Sequence, residues 1–257
     1  MNAPNKDKIK SCLRCGLDST IASIRFDNKG ICNFCMSHDL LIDMYPRDEK
    51  ILANKRLDLI KKIKYAGRNN RYDCIVGVSG GTDSIYTLYM AKNEGLRPLA
   101  VHFDNGWNTD ISVSNIEKAT SKLDVELYTY VVDWEEFKSL QKAFLKASTP
   151  DIEVLTDVAI HGCLYKIAKE ENVKYILGGQ NFMSEGTVPR EWSYIDGTFV
   201  NSVNKLFGEK KLVSYPNATI YQIFYYTFIK RIRQIPFLNY YFYDKKSAQE
   251  ILKKQIG

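Results

Sequence analysis

Residues 79–84 combine two glycines, three hydroxyl side chains and one carboxylate, a set of groups suited to phosphate chemistry. They are Ser79, Gly80, Gly81, Thr82, Asp83 and Ser84. The apolar run 74–78 precedes them and a helical pattern follows. Glycines let the backbone approach a phosphate, and a helix N-terminus offers unpaired N–H groups. Asp83 would repel a bare phosphate and suits a position beside Mg²⁺. The segment predicts a nucleotide-phosphate site, with Asp83 and Ser84 as catalytic candidates.

The hexapeptide is not a Walker loop, because the pattern G-x-x-x-x-G-K-[ST] needs a lysine that is absent here. It resembles instead the pyrophosphate-binding PP-loop, S-G-G-x-D-S, of the ATP pyrophosphatase superfamily. The resemblance implies cleavage of ATP between its α and β phosphates and transfer of AMP to an oxygen. A nitrogen or sulfur nucleophile then displaces the AMP. A glycine-rich turn without a ligand is the alternative interpretation.

Four cysteines near the N-terminus have the spacing of a metal site. Cys12 and Cys15 form one C-x2-C pair, Cys32 and Cys35 form another, and 16 residues separate the pairs. This pattern predicts a tetrahedral, structural Zn²⁺ site, since four thiolates leave no open position for water. Disulfides, free thiols and an iron–sulfur centre are the alternatives. The polar N-terminus shows no signal peptide, which favours a reducing, cytoplasmic location.

The composition is that of a globular protein with a basic C-terminal part. The chain has 257 residues, 45% of them hydrophobic, and a net charge of +6. Residues 205–257 contain ten Lys or Arg and three Asp or Glu, so the rest of the chain carries about −1. This distribution predicts no nucleic-acid surface on the catalytic domain. No apolar run is long enough to span a membrane.

Apolar runs alternate with helical patterns in the middle of the chain. We predict strands at 73–78, 99–103, 126–132 and 173–177, and helices at 47–66, 83–94, 111–123, 133–147 and 156–171. The alternation is typical of an α/β fold with a doubly wound, mainly parallel sheet. The predicted domains are a zinc knuckle at 1–45, a linker helix at 46–71, the PP-loop domain at 72–200 and a helical C-terminal extension at 201–257.

Ligands of doubly wound sheets bind beyond the carboxyl ends of the strands. Two strand ends therefore join the hexapeptide as ATP-binding candidates. Their residues are His102, Phe103, Asp104, Asn105, Gly178, Gly179, Gln180 and Asn181. In PP-loop enzymes these ends face the nucleotide, which implies that Phe103 contacts adenine and that Asp104 or Asn105 bonds the ribose or base. A buried strand histidine is an equal alternative for His102, and a simple turn is the alternative for the glycines.

The polar segment 185–192 follows the last predicted strand and is predicted to be an active-site loop. Arg190 in it and Lys211 further on are candidate phosphate ligands with catalytic roles, and Lys210 is a third candidate. Solvated surface charges are the favoured alternative for each of the three. His161 and Cys163 are two residues apart on a predicted helix, so they do not form a nucleophile–base pair.

The segment 220–243 holds ten aromatic residues, with Lys230, Arg231 and Arg233 interleaved. One interpretation is a surface for a membrane, RNA or a partner protein. The favoured interpretation is a helical extension packed on the sheet with its charges outside.

The order of these motifs resembles one family in particular. A four-cysteine unit precedes the PP-loop at 72–84, and the segments 101–108 and 176–181 follow it, with Glu185-Gly186 next. Together they resemble the N-acetyl sugar amidotransferases of bacterial surface polysaccharide (lipopolysaccharide and O-antigen) synthesis. Members continue beyond a point resembling residues 255–257, so we expect this chain to be a short version or a truncated one.

The resemblance implies that ATP and Mg²⁺ serve to adenylate the acetamido oxygen of a nucleotide-linked N-acetyl sugar. Ammonia would then replace AMP and leave an acetamidino group. The implied partners are a glutaminase subunit that supplies ammonia and a cyclase-like subunit. No glutaminase signature is present, which fits a synthetase subunit that receives ammonia from outside. A PP-loop tRNA thiolase and a non-catalytic nucleotide-binding scaffold are the alternatives.

Overall fold

A five-stranded parallel sheet forms the centre of the computed structural model, which describes residues 9–189 and 196–257. The strands are β1 (Cys74–Gly77), β2 (Pro98–Asp104), β3 (Leu127–Val131), β4 (Tyr175–Gly178) and β5 (Arg233–Pro236). Their order across the sheet is β3-β2-β1-β4-β5, so β1 is central and Val76 lies between Ala100 and Leu177. The chain therefore reverses its direction of winding beside β1, which is where parallel sheets bind ligands.

Helices cover both faces of the sheet, as the alternating sequence pattern predicts. They are α1 (Asn33–Met44), α2 (Glu49–Gly67), α3 (Thr82–Asn93), α4 (Asp110–Leu123), α5 (Trp134–Lys146), α6 (Val154–Glu170), α7 (Phe182–Glu185), α8 (Gly197–Phe207), α9 (Ile220–Phe224) and α10 (Lys245–Gln255). A π-helical turn (Tyr225–Ile229) follows α9, and a 3₁₀ turn (Phe237–Tyr240) follows β5. The predicted doubly wound α/β fold is confirmed. No helix in the described residues is both long and apolar enough to cross a bilayer.

Two apolar layers hold the helices on the sheet. One layer joins the sheet to α5, α6 and α8 and contains the fully buried Phe137 and Phe144. The other joins it to α2, α3 and α4 and contains Ile63 and Leu88. Successive residues of β2 enter opposite layers, because side chains alternate across a strand. Both faces of the sheet are thus buried at its centre, which explains why β1, β2 and β4 are mainly apolar runs without polar alternation.

The C-terminal extension supplies an edge strand that the sequence analysis did not predict. β5 is polar and ends in Pro236, a residue that parallel sheets accept at an edge. The aromatic segment before it is only partly packed. Tyr226 stacks on Tyr165 of α6, but the side chains of Tyr221 and Phe228 are 83% and 68% exposed. The favoured interpretation of an extension packed on the sheet therefore holds for one side of the segment, and aromatic side chains as well as charges lie outside.

An ion pair between the buried Asp73 and the half-exposed Arg97 fixes the start of β1. Asp73 is 4% exposed, and Oδ2 accepts hydrogen bonds from the backbone N (2.9 Å) and Nε (3.2 Å) of Arg97. The same guanidinium donates to the carbonyls of Gly67 and Asn70, at the end of α2. This one side chain therefore ties the end of α2, the start of β1 and the residue before β2 together.

Replacing Arg97 with methionine should lower the free energy of unfolding by about 2–3 kcal/mol, because the Asp73 carboxylate then stays buried without its charged partner. Urea denaturation followed by far-UV circular dichroism measures the change. Arg71→Met is the matched control, since Arg71 is 71% exposed in its pair with Glu126 and should contribute less than about 0.5 kcal/mol. Equal stability of the two variants would contradict this account of Asp73.

Candidate active site and metal centre

The turn between β1 and α3 brings three backbone segments into close contact. Gly80 has φ +76°, and a Cβ there would lie 2.3 Å from the carbonyl oxygen of Ser112 on α4. A Cβ on Gly179, after β4, would lie 3.0 Å from the backbone of Asp83. Only glycine fits the left-handed conformation and the contact at position 80. Gly80 of the PP-loop thus serves packing as well as access to an anion.

Hydrogen bonds inside the turn hold its shape. The Ser84 hydroxyl accepts from the backbone N of Ser79 at 3.1 Å and donates to the carbonyl of Gly81 at 3.0 Å. Asn115 of α4 donates to the carbonyl of Gly80 at 3.1 Å. Ser84, predicted as a catalytic residue, is therefore bound within the turn.

The amino end of α3 is open to a ligand. Its N-cap is Gly81, which offers no side-chain acceptor to the first N–H groups of the helix. Unpaired N–H groups and the helix dipole favour an anion at this position by about 0.3–1 kcal/mol for an exposed charge. The geometry matches the phosphate site that the sequence predicts.

A cavity of about 320 Å³ opens beside the turn, at the carboxyl edge of the sheet. Its walls include the apolar side chains of Val101, Phe103, Ile160 and Leu164. Ser79 and the Gly178–Gln180 segment form the side that faces the turn. An apolar cavity next to an anion site has the form of a pocket for the flat base of a nucleotide.

The four predicted residues at the end of β2 have different surroundings. His102, Phe103 and Asn105 line the cavity. His102 is buried, and its Nδ1 lies 2.9 Å from the carbonyl of Val78, so it also supports the start of the turn. Asp104 is absent from the lining, and its Oδ1 accepts from Gly106 N at 2.9 Å and from Asn108 Nδ2 at 2.8 Å. Asp104 thus shapes the loop that follows β2.

Asn181 has a structural position, unlike the three residues before it. Gly178, Gly179 and Gln180 line the cavity. Asn181 is 2% exposed and caps α7, since its Oδ1 accepts from the backbone N of Met183 and Ser184. Its Nδ2 donates to the carbonyl of Leu238 at 3.2 Å, which ties the segment after β4 to the 3₁₀ turn.

Two titratable residues on the α6 wall were missed in the sequence. Asp157 and His161 are four residues apart on one helix face, and both line the cavity. Burial lowers the pKa of His161, which Asp157 and a hydrogen bond with Gln234 of β5 partly oppose. Burial raises the pKa of Asp157, against the effect of His161. In the sequence, the spacing of four residues between Asp157 and His161 is the signal that both lie on one helix face, whereas the spacing of two residues between His161 and Cys163 places that pair apart.

The residues around α10 reach the PP-loop from the other side. The Tyr243 hydroxyl donates to Asp83 Oδ1, and Lys245 Nζ lies 3.7 Å from Asp83 Oδ2. Gln249 Nε2 donates to the Thr82 hydroxyl at 3.3 Å. These contacts join residues more than 150 positions apart, so no local pattern indicates them.

The other predicted phosphate ligands lie elsewhere. Lys210 Nζ is 3.9 Å from Glu135 Oε2 of α5, and Lys211 is exposed on the same segment. Neither lysine lines the cavities on the two sides of the PP-loop. Arg190 lies outside the described residues.

The four predicted metal ligands converge at one point. The Sγ atoms of Cys12, Cys15, Cys32 and Cys35 all lie within 4.8 Å of one another. Cys12 Sγ is 3.9 Å from Cys35 Sγ, and Cys15 Sγ is 3.6 Å from Cys32 Sγ. Zn–S bonds of about 2.3 Å in a tetrahedron require separations of this size. Backbone N–H groups of Arg14 and Cys32 donate to Cys12 Sγ, as is usual for a thiolate. The donor set fits Zn²⁺.

The cysteine unit contacts residues 182–187, which come shortly after the cavity-lining residue Gln180 in the chain. The Thr187 hydroxyl donates to the carbonyl of Phe34 on α1 at 2.9 Å. Phe182 of α7 packs against His38 and Tyr45, with ring centroids 5.4 and 5.9 Å apart. The metal centre is therefore connected through α1 to the residues just after Gln180.

Comparison with known proteins supports the superfamily that the PP-loop indicates. A family model described as "Queuosine biosynthesis protein QueC" matches residues 73–177, from the residue before β1 into β4. This match and the S-G-G-x-D-S sequence support the PP-loop ATP pyrophosphatase superfamily.

The relatives are distant. "Uncharacterized protein MJ1016" of Methanocaldococcus jannaschii is 25% identical over 163 residues, 62% of this chain and 49% of that protein. The tRNA(Ile)-lysidine synthase of Chlamydia pneumoniae is 28% identical over 103 residues, 39% of this chain and 28% of that enzyme. The NH3-dependent NAD synthetase of Campylobacter jejuni has a TM-score of 0.41 at 14% identity, covering 82% of this chain and 89% of that structure. The chain spans about half the length of the first two curated relatives, 49% and 53%.

Gly80→Ala should weaken ATP binding by at least about 100-fold, since the new Cβ meets the Ser112 carbonyl and displaces the turn. Isothermal titration with ATP measures the affinity. Gly95→Ala is the control, because Gly95 has a similar φ of +70° but its only close neighbour is the flexible end of Lys64. Gly95→Ala should cost about 1–2 kcal/mol of stability and keep the affinity. Equal affinity of both variants would exclude a tightly packed PP-loop.

The purified protein should contain one zinc ion per chain, and Cys32→Ser should lose most of it, because a fully buried thiolate ligand is removed. Inductively coupled plasma mass spectrometry counts the metal, and limited proteolysis detects unfolding of residues 9–45. Cys163→Ser is the control, since Cys163 is buried outside the cluster and should not affect zinc content. Retention of zinc by Cys32→Ser would contradict the four-cysteine site.

Proposed function

We propose that this chain is an ATP-dependent ligase that forms AMP and pyrophosphate, and that its substrate is a nucleotide-linked N-acetyl sugar. The observation that carries the proposal is the uncapped amino end of α3, which lies between an apolar cavity and the residues around α10. A nucleotide with its phosphates on the turn has room for its base in the cavity of about 320 Å³. The site thus suits attack on the α-phosphate of ATP beside the PP-loop.

The proposed reaction makes an amide reactive. The carbonyl oxygen of the acetamido group attacks the α-phosphorus of ATP, forms a C–O–P bond and releases pyrophosphate. Ammonia then attacks the activated carbon, the C–O bond breaks, and AMP leaves with the former amide oxygen. The products are an acetamidino sugar, AMP and pyrophosphate. AMP is a far better leaving group than the oxide ion of the amide, which is the reason that ATP is consumed.

Residues of this chain fit several parts of that reaction. The N–H groups at the start of α3 would bind phosphate oxygens, and Asn105, which lines the cavity, would bond the ribose or base. The Asp83 carboxylate is a hard oxygen donor next to the turn and would be the residue that holds Mg²⁺, which would neutralise phosphate charge. A glutaminase subunit, with a cyclase-like subunit, would supply the ammonia.

A sulfur-transferring enzyme that acts on tRNA is the alternative, and the relative named as a tRNA(Ile)-lysidine synthase supports only its tRNA substrate. Sulfur transfer of this kind needs a reactive thiolate near the nucleotide. Cys163 lines the cavity, but burial raises the pKa of its thiol to about 12, and burial also raises the pKa of Cys74. These buried thiols stay protonated at neutral pH, which disfavours sulfur transfer through either of them.

The protein with Mg-ATP, ammonium and a UDP-linked diacetamido sugar should form a sugar product in which one oxygen is replaced by NH, with equal amounts of AMP and pyrophosphate. Mass spectrometry identifies the sugar, and ion-exchange chromatography measures the nucleotides. Asp83→Asn should lower the rate by at least about 100-fold, because it removes the carboxylate beside the phosphates.

Asp110→Asn is the matched control, since Asp110 is an exposed residue in the first turn of α4 and should retain the rate. ATP-dependent modification of tRNA, with no sugar product, would replace this proposal by the tRNA enzyme. ATP binding without any turnover of ATP would favour the scaffold.

A further inference from the structure

The PP-loop lacks the positive charge that a polyphosphate needs. Asp83 is the only charged residue in positions 79–84, and its charge has the same sign as the phosphates. A Walker loop supplies a lysine to the β and γ phosphates from within its own motif. A nucleotide bound here must obtain such a cation from another part of the fold.

The fold brings a lysine-rich segment to the turn. We call residues Tyr243–Gln255 the strap: Tyr243 and Asp244 followed by α10. The strap contacts two PP-loop side chains through Tyr243, Lys245 and Gln249. Apolar residues of α10 also join the layer between the sheet and α3. The strap is therefore packed against the PP-loop rather than lying free in solvent.

A second cavity, of about 500 Å³, lies between the PP-loop, α4 and α10. Gly80, Gly81 and Thr82 line one side, and Lys118 and Lys253 lie on the opposite helices. Neither lysine has an ion-pair partner among the described residues. The cavity that suits a base lies on the Ser79 side of the turn and this one on the Thr82 side. Lys118 and Lys253, which form no ion pair with a described residue, thus line the cavity on the side of the turn opposite the one that suits a base.

Lys245 is placed to change partners. Its Nζ is 3.7 Å from Asp83 Oδ2, and the lysine and aspartate side chains are 59% and 35% exposed. Exposed pairs of this kind contribute about 0–1 kcal/mol, so the ammonium can leave the carboxylate for a phosphate at little cost. The Tyr243 hydroxyl meanwhile holds the other oxygen of Asp83.

We propose that Lys245, Lys253 and Lys118 bind the β and γ phosphates of the nucleotide and the released pyrophosphate, so that the strap supplies the cation missing from the PP-loop. The proposal rests on nucleotide binding at the PP-loop, as in the proposed function, and adds a polyphosphate subsite on the α10 side. Lys118 and Lys253 in the cavity wall, together with Lys245 beside Asp83, balance most of the charge of pyrophosphate and attract it electrostatically.

Binding of inorganic pyrophosphate to the whole chain tests the proposal, because it requires neither the sugar nor ammonia. In isothermal titration, Lys245→Ala should weaken pyrophosphate binding by about 10-fold and Lys253→Ala by about 3-fold to 10-fold. Affinity for AMP should stay within about 2-fold, since AMP lacks the β and γ phosphates. Lys245→Arg should restore most of the affinity because it keeps the charge.

Lys246→Ala and Lys254→Ala are the matched controls, since both lysines lie on α10 but neither contacts the PP-loop nor lines the cavity. If Lys245→Ala does not fold, Lys253→Ala and Lys118→Ala carry the test alone. Wild-type affinity in the Lys245→Ala/Lys253→Ala double variant, or no pyrophosphate binding by the wild type, would overturn the proposal. So would equal losses in the control variants.

The same variants separate this inference from the proposed function. Pyrophosphate binding that depends on Lys245, without any sugar product, would support the subsite and reject the sugar reaction. Sugar product formed by the double variant with an unchanged KM for ATP would support the reaction and reject the subsite.

Discussion

At the amino end of α3, the backbones of the PP-loop, of α4 and of the segment after β4 pack closely together, and the site depends on this contact. Gly80 touches α4, Gly179 touches the backbone of Asp83, and Asn115 bonds the carbonyl of Gly80. This contact is possible because β1 is central, so that the turn after it has a neighbouring segment on each side. The unpaired N–H groups of α3 are consequently held in a fixed frame before any ligand arrives, which lowers the cost of binding an anion.

The cysteine unit extends that frame to the segment after β4. The unit has a small core, in which three of the four buried residues are cysteines and the fourth is Phe34. Five partly buried apolar side chains pack around them, but a unit this small usually needs a metal for stability. Through Phe34 and α1 the unit contacts Thr187 and Phe182. Loss of a metal held by the four cysteines would therefore remove a support from the residues just after Gln180, at a distance from the cluster itself.

Features that depend only on residues close together in the chain could be predicted from the sequence. The PP-loop, the four cysteines and the helix predicted to begin at 133, where Asp133 accepts from Glu136 N at 2.8 Å, are all local patterns. Asp104 and Asn181 show the limit of such reasoning. Polar residues after strands suggested ligand contacts, but short Asp and Asn side chains also bond nearby backbone N–H groups, and here they shape a loop and cap a helix. Contacts with residues far along the chain, such as Lys245 at Asp83, follow from packing and were not predictable.

The position of β5 explains why the C-terminal part belongs to the site although it is remote in sequence. β5 pairs with β4 along Tyr175–Gly178, and Phe237 next to it is fully buried between α2, α3 and the sheet. These contacts fix the start of the segment that leads to Tyr243 and α10. A sheet that ended at β4 would leave the strap without an anchor and Asp83 without its two partners. The basic excess of residues 205–257 thus lies partly at the site, since α10 brings Lys245 and Lys253 to the PP-loop, which has no cationic side chain of its own.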